Sequence, residues 1–397
     1  MRIVFINLHC NSFILRPLRY ILTGRPSTYK HFFLLKYLID EKKDWAVYIN
    51  DKGSSIGKLC GFRFLKWAFV LECYICLLLN GINPFKARVI TDEGKLRESD
   101  VLLAYIHYPN DLHNLKNLKG KKLLHMNHFY ARLGIGVNAK MIEDADIDYF
   151  VSEADLSKNS KFFNKYFGRY NKKVLLLPYV FQERFKNAKP FPQRKNLAVA
   201  TGTLARIERS KDLYDFFNIE TLHPMRLAIY DNKRTLSNEV DSYIADYYED
   251  VPPDVVSPGN RSFWSRLKKR FVMYFVMGHQ KKYRSFNIVD KYNEYKMSVV
   301  PEEIIGLPAI GFVESMACGC AYIGIDDPMY RDIGLIPGKH YIAYDNTLEG
   351  LRKVIAFYQN EPYKLQMIAE TGCSYVREHF NGGSAAGRFY SELTRLL

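Results

Sequence analysis

The order of apolar runs along the chain constrains the fold more than any other feature of the sequence. Short runs rich in β-branched and aromatic residues alternate with stretches whose apolar residues recur at helical spacing. Strands separated by helices predict a parallel sheet with right-handed crossovers and a ligand crevice at the carboxyl ends of the strands. The first series of predicted strands is Arg2–Leu8, Trp45–Ile49, Val101–His107, Lys122–Asn127, Tyr149–Ser152 and Val174–Leu177.

The same alternation begins a second time after a polar break. Tyr179–Arg194 has no clear period and contains Pro190 and Pro192, so we interpret it as a linker. At 397 residues the chain is long enough for two α/β halves of roughly 150–200 residues each. Tyr363–Leu397 is predicted to be helical, with a break at Asn381–Gly383. The second series of predicted strands is Leu197–Gly202, Met225–Tyr230, Met297–Val300 and Ala321–Ile325.

The charge balance predicts an anionic partner, since 57 Lys and Arg residues stand against 42 Asp and Glu residues. A phosphorylated substrate, an anionic bilayer and nucleic acid all fit this charge, but no nucleic-acid module is present and we expect no nucleic acid. Phe263–Tyr283 mixes aromatics, Met and basic residues as an interfacial helix does, although a core helix with basic ends fits equally. A membrane-surface role gains support from the basic group Arg16, Arg19, Arg25 and Lys30.

The apolar segments predict a protein at the cytoplasmic face of the membrane rather than one that spans it. The longest apolar run, Trp67–Leu79, is interrupted by Glu72 and is shorter than the roughly 20 residues that a span needs. We therefore expect a buried or interfacial helix there. Met1–Leu8 enters a strand directly, without the pattern of a secretory leader. The seven cysteines have no paired zinc spacing, which favours reduced, buried thiols.

The block Pro301–Ile325 carries the most specific chemical signal. Glu314 is predicted to start a short helix of small residues that ends at Gly319 and leads into a buried strand. A helix N-terminus offers free N–H groups and partial positive charge to phosphate oxygens. The carboxylate of Glu314 can accept hydrogen bonds from ribose hydroxyls. The block therefore predicts a nucleotide site.

Glu314–Gly324 resembles the E-A-M-A-C-G-x-P-V-I signature of group 1 (family-4-like) retaining glycosyltransferases. Weaker resemblances follow the family's order at Asp146–Glu153, Leu175–Phe185, Thr201–Lys211 and Tyr375–Phe380. The resemblance implies an α/β protein of GT-B fold, with two Rossmann-like domains facing an interdomain cleft and a C-terminal helix crossing back to the N-terminal domain. We expect an acceptor-binding domain at 1–183, a donor-binding domain at 184–378 and the returning helix at 379–397.

The resemblance also implies which residues bind the donor. The family's signature glutamate, which corresponds to Glu314, binds the donor ribose. An earlier family glutamate has Glu303 as its counterpart here, although Ile310–Phe312 is extra between the two. No D-x-D pair is present, so we expect metal independence and no cofactor beyond the nucleotide-sugar co-substrate, a UDP- or GDP-sugar. The family's loop that binds the donor diphosphate is matched by Gly202, Arg206 and Lys211.

Three residues are candidates for catalytic groups, and each has a structural alternative. His128 resembles the family's strand-end histidine near the sugar, or it packs as an ordinary polar residue. Glu153 follows a strand at the predicted cleft, where an acid or base for the acceptor hydroxyl belongs, or it caps a helix over Ala154–Phe167. Asp231 follows the predicted strand Met225–Tyr230, where it can act as nucleophile or stabilise an oxocarbenium ion, or it is a turn residue.

Together these features predict the retaining transfer of a sugar from a nucleotide donor to a growing bacterial surface glycan, such as lipopolysaccharide, O-antigen or capsule. A CMP-Kdo-dependent β-Kdo transferase that uses paired Glu and Asp residues is the first alternative. Bacterial CMP-sugar transferases carry an H-P pair that binds the CMP phosphate, and His223–Pro224 is such a pair. The second alternative is a GT-B relic that binds glycans without catalysis. A relic is expected to have lost its cleft carboxylates, whereas this sequence retains Glu153, Asp231, Glu303 and Glu314.

Overall fold

The computed structural model describes residues 1–7, 32–49, 62–105, 115–126, 142–204, 218–246 and 286–397. The chain divides into two compact units. Unit 1 comprises Met1–Ser157, Phe163–Pro178 and Gly382–Leu397, and unit 2 comprises Lys158–Phe162 and Tyr179–Asn381. Helices in the described ranges are α1 Phe32–Asp40, α2 Phe62–Leu79, α3 Leu156–Asn159, α4 Lys161–Phe167, α5 Pro224–Asp231, α6 Ile288–Glu294, α7 Gly311–Ala317, α8 Pro328–Arg331, α9 Leu348–Gln359, α10 Pro362–His379 and α11 Gly382–Leu396.

Within the described residues, unit 1 is built on a seven-stranded parallel sheet. The strands are β1 Arg2–Ile6, β2 Trp45–Tyr48, β3 Val89–Ile90, β4 Asp100–Tyr105, β5 Lys121–His125, β6 Tyr149–Ser152 and β7 Val174–Leu176. Their order in the sheet is β3-β2-β1-β4-β5-β6-β7. The direction of strand addition reverses between β1 and β4, which is the topological switch point of this unit.

The last helix of the chain completes the core of unit 1. Ala386, Phe389 and Leu393 of α11 are buried in the same apolar cluster as Leu35 and Leu38 of α1. These three positions recur at helical spacing, so one side of α11 is apolar and packs inward. The predicted return of the C-terminal helix to the N-terminal domain is confirmed.

The described part of unit 2 contains a five-stranded parallel sheet. The strands are β8 Lys195–Leu204, β9 Val240–Asp246, β10 Tyr295–Val299, β11 Ala321–Ile325 and β12 Ile342–Tyr344. Their order is β12-β11-β10-β8-β9, so the switch point of unit 2 lies between β8 and β10. Its core includes the buried residues Ala198, Ala200, Val299, Ile323 and Ile355.

The structure corrects several details of the predicted elements. Met225–Tyr230 is not a strand: it belongs to helix α5, because Pro224 is suited to a first helical turn and Met225 and Ile229 pack one turn apart on the core. The helix predicted over Ala154–Phe167 is divided into α3 and α4. No helix in the described ranges is long and apolar enough to cross a membrane.

Candidate functional site

A buried arginine joins the two strand ends at the switch point of unit 2. Arg226 lies in the first turn of α5, and its Nε donates a hydrogen bond of 2.9 Å to the carbonyl of Pro301, just beyond β10. Its Nη1 donates to the carbonyl of Thr203 in β8 at 3.2 Å. Both acceptors lie at the carboxyl ends of parallel strands, where ligands bind in folds of this type. Arg226 therefore places a positive charge where an anionic ligand is expected.

Gly202 gives Arg226 the space that it needs. The φ angle of Gly202 is +143°, and a Cβ atom at this position would lie 3.0 Å from the Cδ and Nε atoms of Arg226. A side chain here would be strained in its backbone and would crowd the guanidinium. The absence of a side chain at Gly202 thus leaves room for the guanidinium group of Arg226. A direct contact of Gly202 with a donor diphosphate stays a prediction.

His223 lies beside Arg226, at the point where α5 begins. It occupies the N-cap position, is buried, and its Nε2 atom lies 3.7 Å from Oε1 of Glu303. The loop that carries Glu303 is held there because the N–H of Ile304 donates to the carbonyl of Leu222 at 3.0 Å. Among the described residues, the buried Nδ1 atom of His223 has no hydrogen-bond partner. That atom therefore lacks a hydrogen-bond partner that a ligand could supply.

The electrostatic environment of His223 favours the neutral imidazole until an anion arrives. Burial lowers the pKa of His223, and the charge of Arg226 lowers it further, while the nearby Glu303 opposes both effects. A phosphate oxygen close to Nδ1 would stabilise the imidazolium and raise the pKa again. The arrangement of one histidine, one arginine and one glutamate is therefore suited to take up a proton together with an anionic ligand.

Two neighbouring glutamates have different roles in this loop. Glu302 is buried, and its Oε1 atom accepts hydrogen bonds from the hydroxyls of Tyr330 at 2.5 Å and Tyr322 at 3.2 Å. Burial raises the pKa of Glu302, while these hydrogen bonds lower it. Glu302 thus anchors the loop to the region around β11, and Glu303 is the glutamate that faces His223.

Glu314 occupies the fourth position of α7, which begins at Gly311 rather than at Glu314 as predicted. A Cβ atom on Gly311 would lie 2.8 Å from the side chain of Val300, so α7 starts in close contact with the end of β10. Burial raises the pKa of Glu314 to about 7, against the opposing charge of Arg184. Glu314 is thus a partly buried carboxyl group on α7 with a pKa raised to about 7, and its contact with a ribose stays a prediction.

In unit 1, Glu153 follows β6 and is fully buried. Neither of its carboxylate oxygens has a hydrogen-bond partner among the described residues, so it does not cap a helix there. The N–H of Ser157 instead donates a hydrogen bond of 3.2 Å to Oδ1 of Asp155. An unpartnered buried carboxylate is costly, which makes Glu153 the strongest candidate for ligand contact in this unit.

The structure corrects the predicted placement of Asp231. This residue ends helix α5 and is exposed, and it does not lie at the end of a strand. The physical reason is the helical pairing of Met225 with Ile229, which turns the predicted strand into a helix. Several predicted functional positions lie outside the described residues: His128, Arg206, Lys211, Phe263–Tyr283 and the group Arg16, Arg19, Arg25 and Lys30.

Arg226 was not among the residues that the sequence predicts for the site. The signal that points to it is the sequence His223–Pro224–Met225–Arg226. A proline at the first helical position fixes the start of a helix, and residues three apart on a helix lie on the same side. Both His223 and Arg226 are then expected at the same helix terminus.

Comparison with known proteins gives matches among solved structures alone. No protein-family model matches the chain, and a search of curated proteins finds no match. Sucrose-phosphate synthase (tll1590) from Thermosynechococcus elongatus has a TM-score of 0.51 and 12% identity, with 100% of each chain covered. Alr3699/HepE from Anabaena, solved in complex with UDP, has a TM-score of 0.50 and 12% identity, again with 100% of each chain covered. Both are GT-B glycosyltransferases. Their likeness over the full length, with the two parallel sheets, shows that the chain has the α/β fold of the GT-B proteins.

Proposed function

We propose that this protein is a glycosyltransferase that binds a nucleotide-activated sugar at the switch point of unit 2. The observation that carries the proposal is the buried Nδ1 atom of His223, which has no hydrogen-bond partner among the described residues and lies on the same helix turn as Arg226. A buried nitrogen without a partner costs about 1–3 kcal/mol. A phosphate oxygen of the donor would satisfy it and would also be attracted by the arginine.

In this proposal the residues of unit 2 act on the leaving nucleotide. A protonated His223 donates a hydrogen bond to the phosphate, and the positive charge of Arg226 stabilises the negative charge that develops there as the sugar departs. Glu303, whose Oε1 atom is 3.7 Å from Nε2 of His223, holds the imidazole in orientation and stabilises its charged form. Glu314 binds the ribose hydroxyls, and no metal ion takes part.

For the acceptor, we propose that Glu153 of unit 1 is the carboxylate that contacts the hydroxyl. Its burial and its two unpartnered oxygens support this role. The exposure of Asp231 at the end of α5 argues against a two-step reaction through that carboxylate. Retention itself rests on the resemblance to the group 1 retaining glycosyltransferases. With Asp231 set aside, we propose a front-face route, in which Glu153 orients the acceptor hydroxyl and the leaving phosphate accepts its proton.

We further propose that the acceptor is a growing bacterial surface glycan held at the cytoplasmic face of the membrane. The resemblance of Glu314–Gly324 to group 1 glycosyltransferases and the net charge of +15 support this part of the proposal. A glycan acceptor carried on a lipid anchor with phosphate groups would be attracted by a basic protein.

A CMP-Kdo-dependent β-Kdo transferase is the second candidate function. The specific observation in its favour is that His223–Pro224 begins a helix at the carboxyl edge of the sheet, where an H-P pair can reach a phosphate. The paired aspartate that this reaction needs is less well supported, because Asp231 is exposed on α5.

A thermal-shift titration with UDP, GDP and CMP tests the donor site and separates the two candidates. We expect one nucleotide to stabilise the protein, by about 2.7 kcal/mol at a concentration 100 times its dissociation constant. Stabilisation by UDP or GDP favours the first function, and stabilisation by CMP favours the second. His223→Ala should remove the shift, whereas the control His379→Ala, on α10, should keep it.

Two results would contradict the proposal. If none of the three nucleotides stabilises the wild-type protein, the donor site is wrongly assigned. If a nucleotide stabilises the protein but the matching nucleotide-sugar is neither hydrolysed nor transferred, the protein is a binding relic rather than an enzyme.

A further inference from the structure

Helix α2 of unit 1 is apolar on two opposite sides. Phe69, Cys73 and Leu77 recur every fourth residue and are buried in the core of the unit. Trp67, Leu71 and Leu78 lie on another side of the same helix and are 79%, 59% and 63% exposed. A helix on the surface of a soluble domain ordinarily has one apolar side, with polar residues opposite. The exposed side of α2 therefore needs an explanation other than packing within unit 1.

The exposed apolar surface continues into the turn that follows the helix. Pro84–Lys86 forms a short 3₁₀ turn that packs against α2, and its Phe85 is 91% exposed. We name the set Trp67, Leu71, Leu78 and Phe85 the α2 stripe. Two large aromatic and two leucine side chains amount to an apolar patch on the order of 400 Å², which in monomeric proteins commonly marks an interaction site.

The described charged side chains from Lys66 to Arg88 are all positive. Between residues 62 and 90 the sequence has one acidic residue, Glu72. Lys86 and Arg88, which follow Phe85, are exposed. An apolar helix side with a tryptophan and flanking basic residues is the pattern of a segment that lies in the interface of an anionic bilayer. The four basic residues in this range are Arg63, Lys66, Lys86 and Arg88.

We propose that the α2 stripe docks on the surface of an anionic phospholipid bilayer. The apolar side chains enter the boundary between headgroups and acyl chains, while Lys86 and Arg88 lie against the phosphates. A second copy of this chain fits the stripe less well, because its own exposed Lys86 and Arg88 would be brought close to those of the first copy. The inference rests on the membrane-face part of the proposed function and gives it a surface of defined residues.

Co-sedimentation of the full chain with vesicles tests this inference. One set of vesicles contains phosphatidylcholine and phosphatidylglycerol in equal parts, and a second set contains phosphatidylcholine alone. We expect the wild-type protein to bind the mixed vesicles, and we expect the triple variant Trp67→Ser/Leu71→Ser/Leu78→Ser to bind them about tenfold or more weakly. The charge variant Lys86→Glu/Arg88→Glu should lose the preference for the mixed vesicles.

A matched control removes apolar side chains that are similarly exposed elsewhere. Tyr363 and Met367 on α10 of unit 2 are 77% and 50% exposed, and the variant Tyr363→Ser/Met367→Ser should bind the mixed vesicles as the wild-type protein does. Because all substituted side chains are exposed, the thermal unfolding of each variant should resemble that of the wild type. Loss of binding in the triple variant but not in the control supports the inference.

The inference is overturned by any of three outcomes: the wild-type protein does not bind mixed vesicles, the triple variant binds them as tightly as the wild type, or light scattering shows a wild-type dimer that the triple variant no longer forms. Nucleotide binding separates these outcomes from a failure of the proposed enzyme. If the triple variant retains its thermal shift with nucleotide, its donor site is intact, and this conclusion does not depend on the result of vesicle binding. If the wild-type protein binds vesicles but no nucleotide, the docking surface is supported and the proposed donor site is not.

Discussion

Glu302 and Glu303 are neighbours in the sequence, but they face different surroundings. Glu302 accepts hydrogen bonds from two buried tyrosine hydroxyls, whereas Glu303 lies against His223. Such a pair offers a matched comparison, since each residue is the control for the other. The position of the loop depends on the first glutamate, and the charge next to His223 depends on the second.

We predict that Glu302→Ala lowers the free energy of unfolding by about 1–3 kcal/mol, because it removes the buried carboxylate that the hydroxyls of Tyr322 and Tyr330 share and leaves them only each other and the carbonyl of Val300. Glu303→Ala should change that free energy little and should alter nucleotide affinity instead. Urea denaturation and nucleotide titration of both variants measure the two effects. If the two variants lose stability equally, the division of roles between these glutamates is wrong.

The carboxyl group of Glu314 makes stability depend on pH. Burial raises its pKa from 4.5 to about 7 in the folded protein, so the folded state binds this proton more tightly than the unfolded state. Its contribution to stability is therefore largest at low pH and decreases as the pH rises from 4.5 to about 7. We predict that Glu314→Gln is more stable than the wild type above this range by about 1–3 kcal/mol, and that the difference vanishes below it.

Denaturation in urea at about pH 4 and about pH 8 checks this prediction. The same variant should bind nucleotide more weakly above neutral pH, because an amide cannot replace the carboxylate as an acceptor for two ribose hydroxyls. Equal stability of Glu314→Gln and wild type at both pH values would show that the carboxyl group is not desolvated.

The two glycines Gly202 and Gly338 separate backbone strain from crowding. Both have positive φ angles, +143° and +74°, but a Cβ atom on Gly338 meets nothing within 4 Å, whereas one on Gly202 meets Arg226 at 3.0 Å. We predict that Gly338→Ala costs about 1–2 kcal/mol of stability and leaves nucleotide affinity unchanged. Gly202→Ala should cost more and should also weaken nucleotide binding, because Arg226 must move. Thermal unfolding and nucleotide titration distinguish the two, and identical behaviour would contradict the role given to Gly202.

At the scale of elements, the predicted strands agree with the observed ones where apolar runs are flanked by clear breaks. Tyr149–Ser152 and Ala321–Ile325 have the bounds that the sequence predicts. The strand β9, Val240–Asp246, was not predicted, because Asp241, Ser242 and Asp246 give it a polar composition. It forms because pairing with β8 satisfies its backbone. Pairing of this kind depends on a partner far away in the sequence.

Helix α5 shows why the site was less predictable than the fold. A run of six mostly apolar residues fits a strand and a buried helix equally well, and the choice depends on what the run packs against. Once the helix is assigned, His223 and Arg226 lie together at its start, and Asp231 lies at its end. Glu314 and Gly202 were predicted from the sequence because their neighbourhoods resemble a known signature, which carries no information about Arg226.

The helical assignment leads to a prediction about Asp231. Because this residue is exposed at the end of α5, Asp231→Asn should change stability by less than about 0.5 kcal/mol and should retain full activity. The activity measured is hydrolysis of the nucleotide-sugar whose nucleotide stabilises the protein, with His223→Ala as the inactive comparison. A sugar-sized mass increment on the peptide that contains Asp231 would restore the two-step mechanism.

At the scale of the whole molecule, unit 1 is assembled from segments at both ends of the chain. Phe389 of α11 is buried beside residues of α1 and β1, although some 350 residues separate them in the sequence. We predict that Phe389→Ala lowers the free energy of unfolding by about 3–5 kcal/mol, as expected for a large cavity in a core. The control Phe357→Ala removes a half-exposed phenylalanine from α9 and should have little effect.

Limited proteolysis followed by mass spectrometry localises the effect of Phe389→Ala. We expect the new cleavage sites to fall in segments of unit 1, while nucleotide still stabilises the variant through unit 2. Cleavage that begins in β8–β12 would mean that α11 supports unit 2 instead.

The return of α11 to unit 1 also determines the order in which the protein can be completed during synthesis. The ribosome makes strands β1 to β7 first, then the roughly 200 residues from Tyr179 to Asn381, and only afterwards the helix that covers α1. At about 5–20 residues per second, the core surface formed by Leu35 and Leu38 stays uncovered for roughly 10–40 s after β7 is made, until Phe389 and Leu393 emerge. Unit 2 has most of its sequence in one continuous piece and can fold within that interval. The first part of the chain to be translated is therefore the last part to be finished, and during the delay it presents an apolar face to the chaperones of the cell.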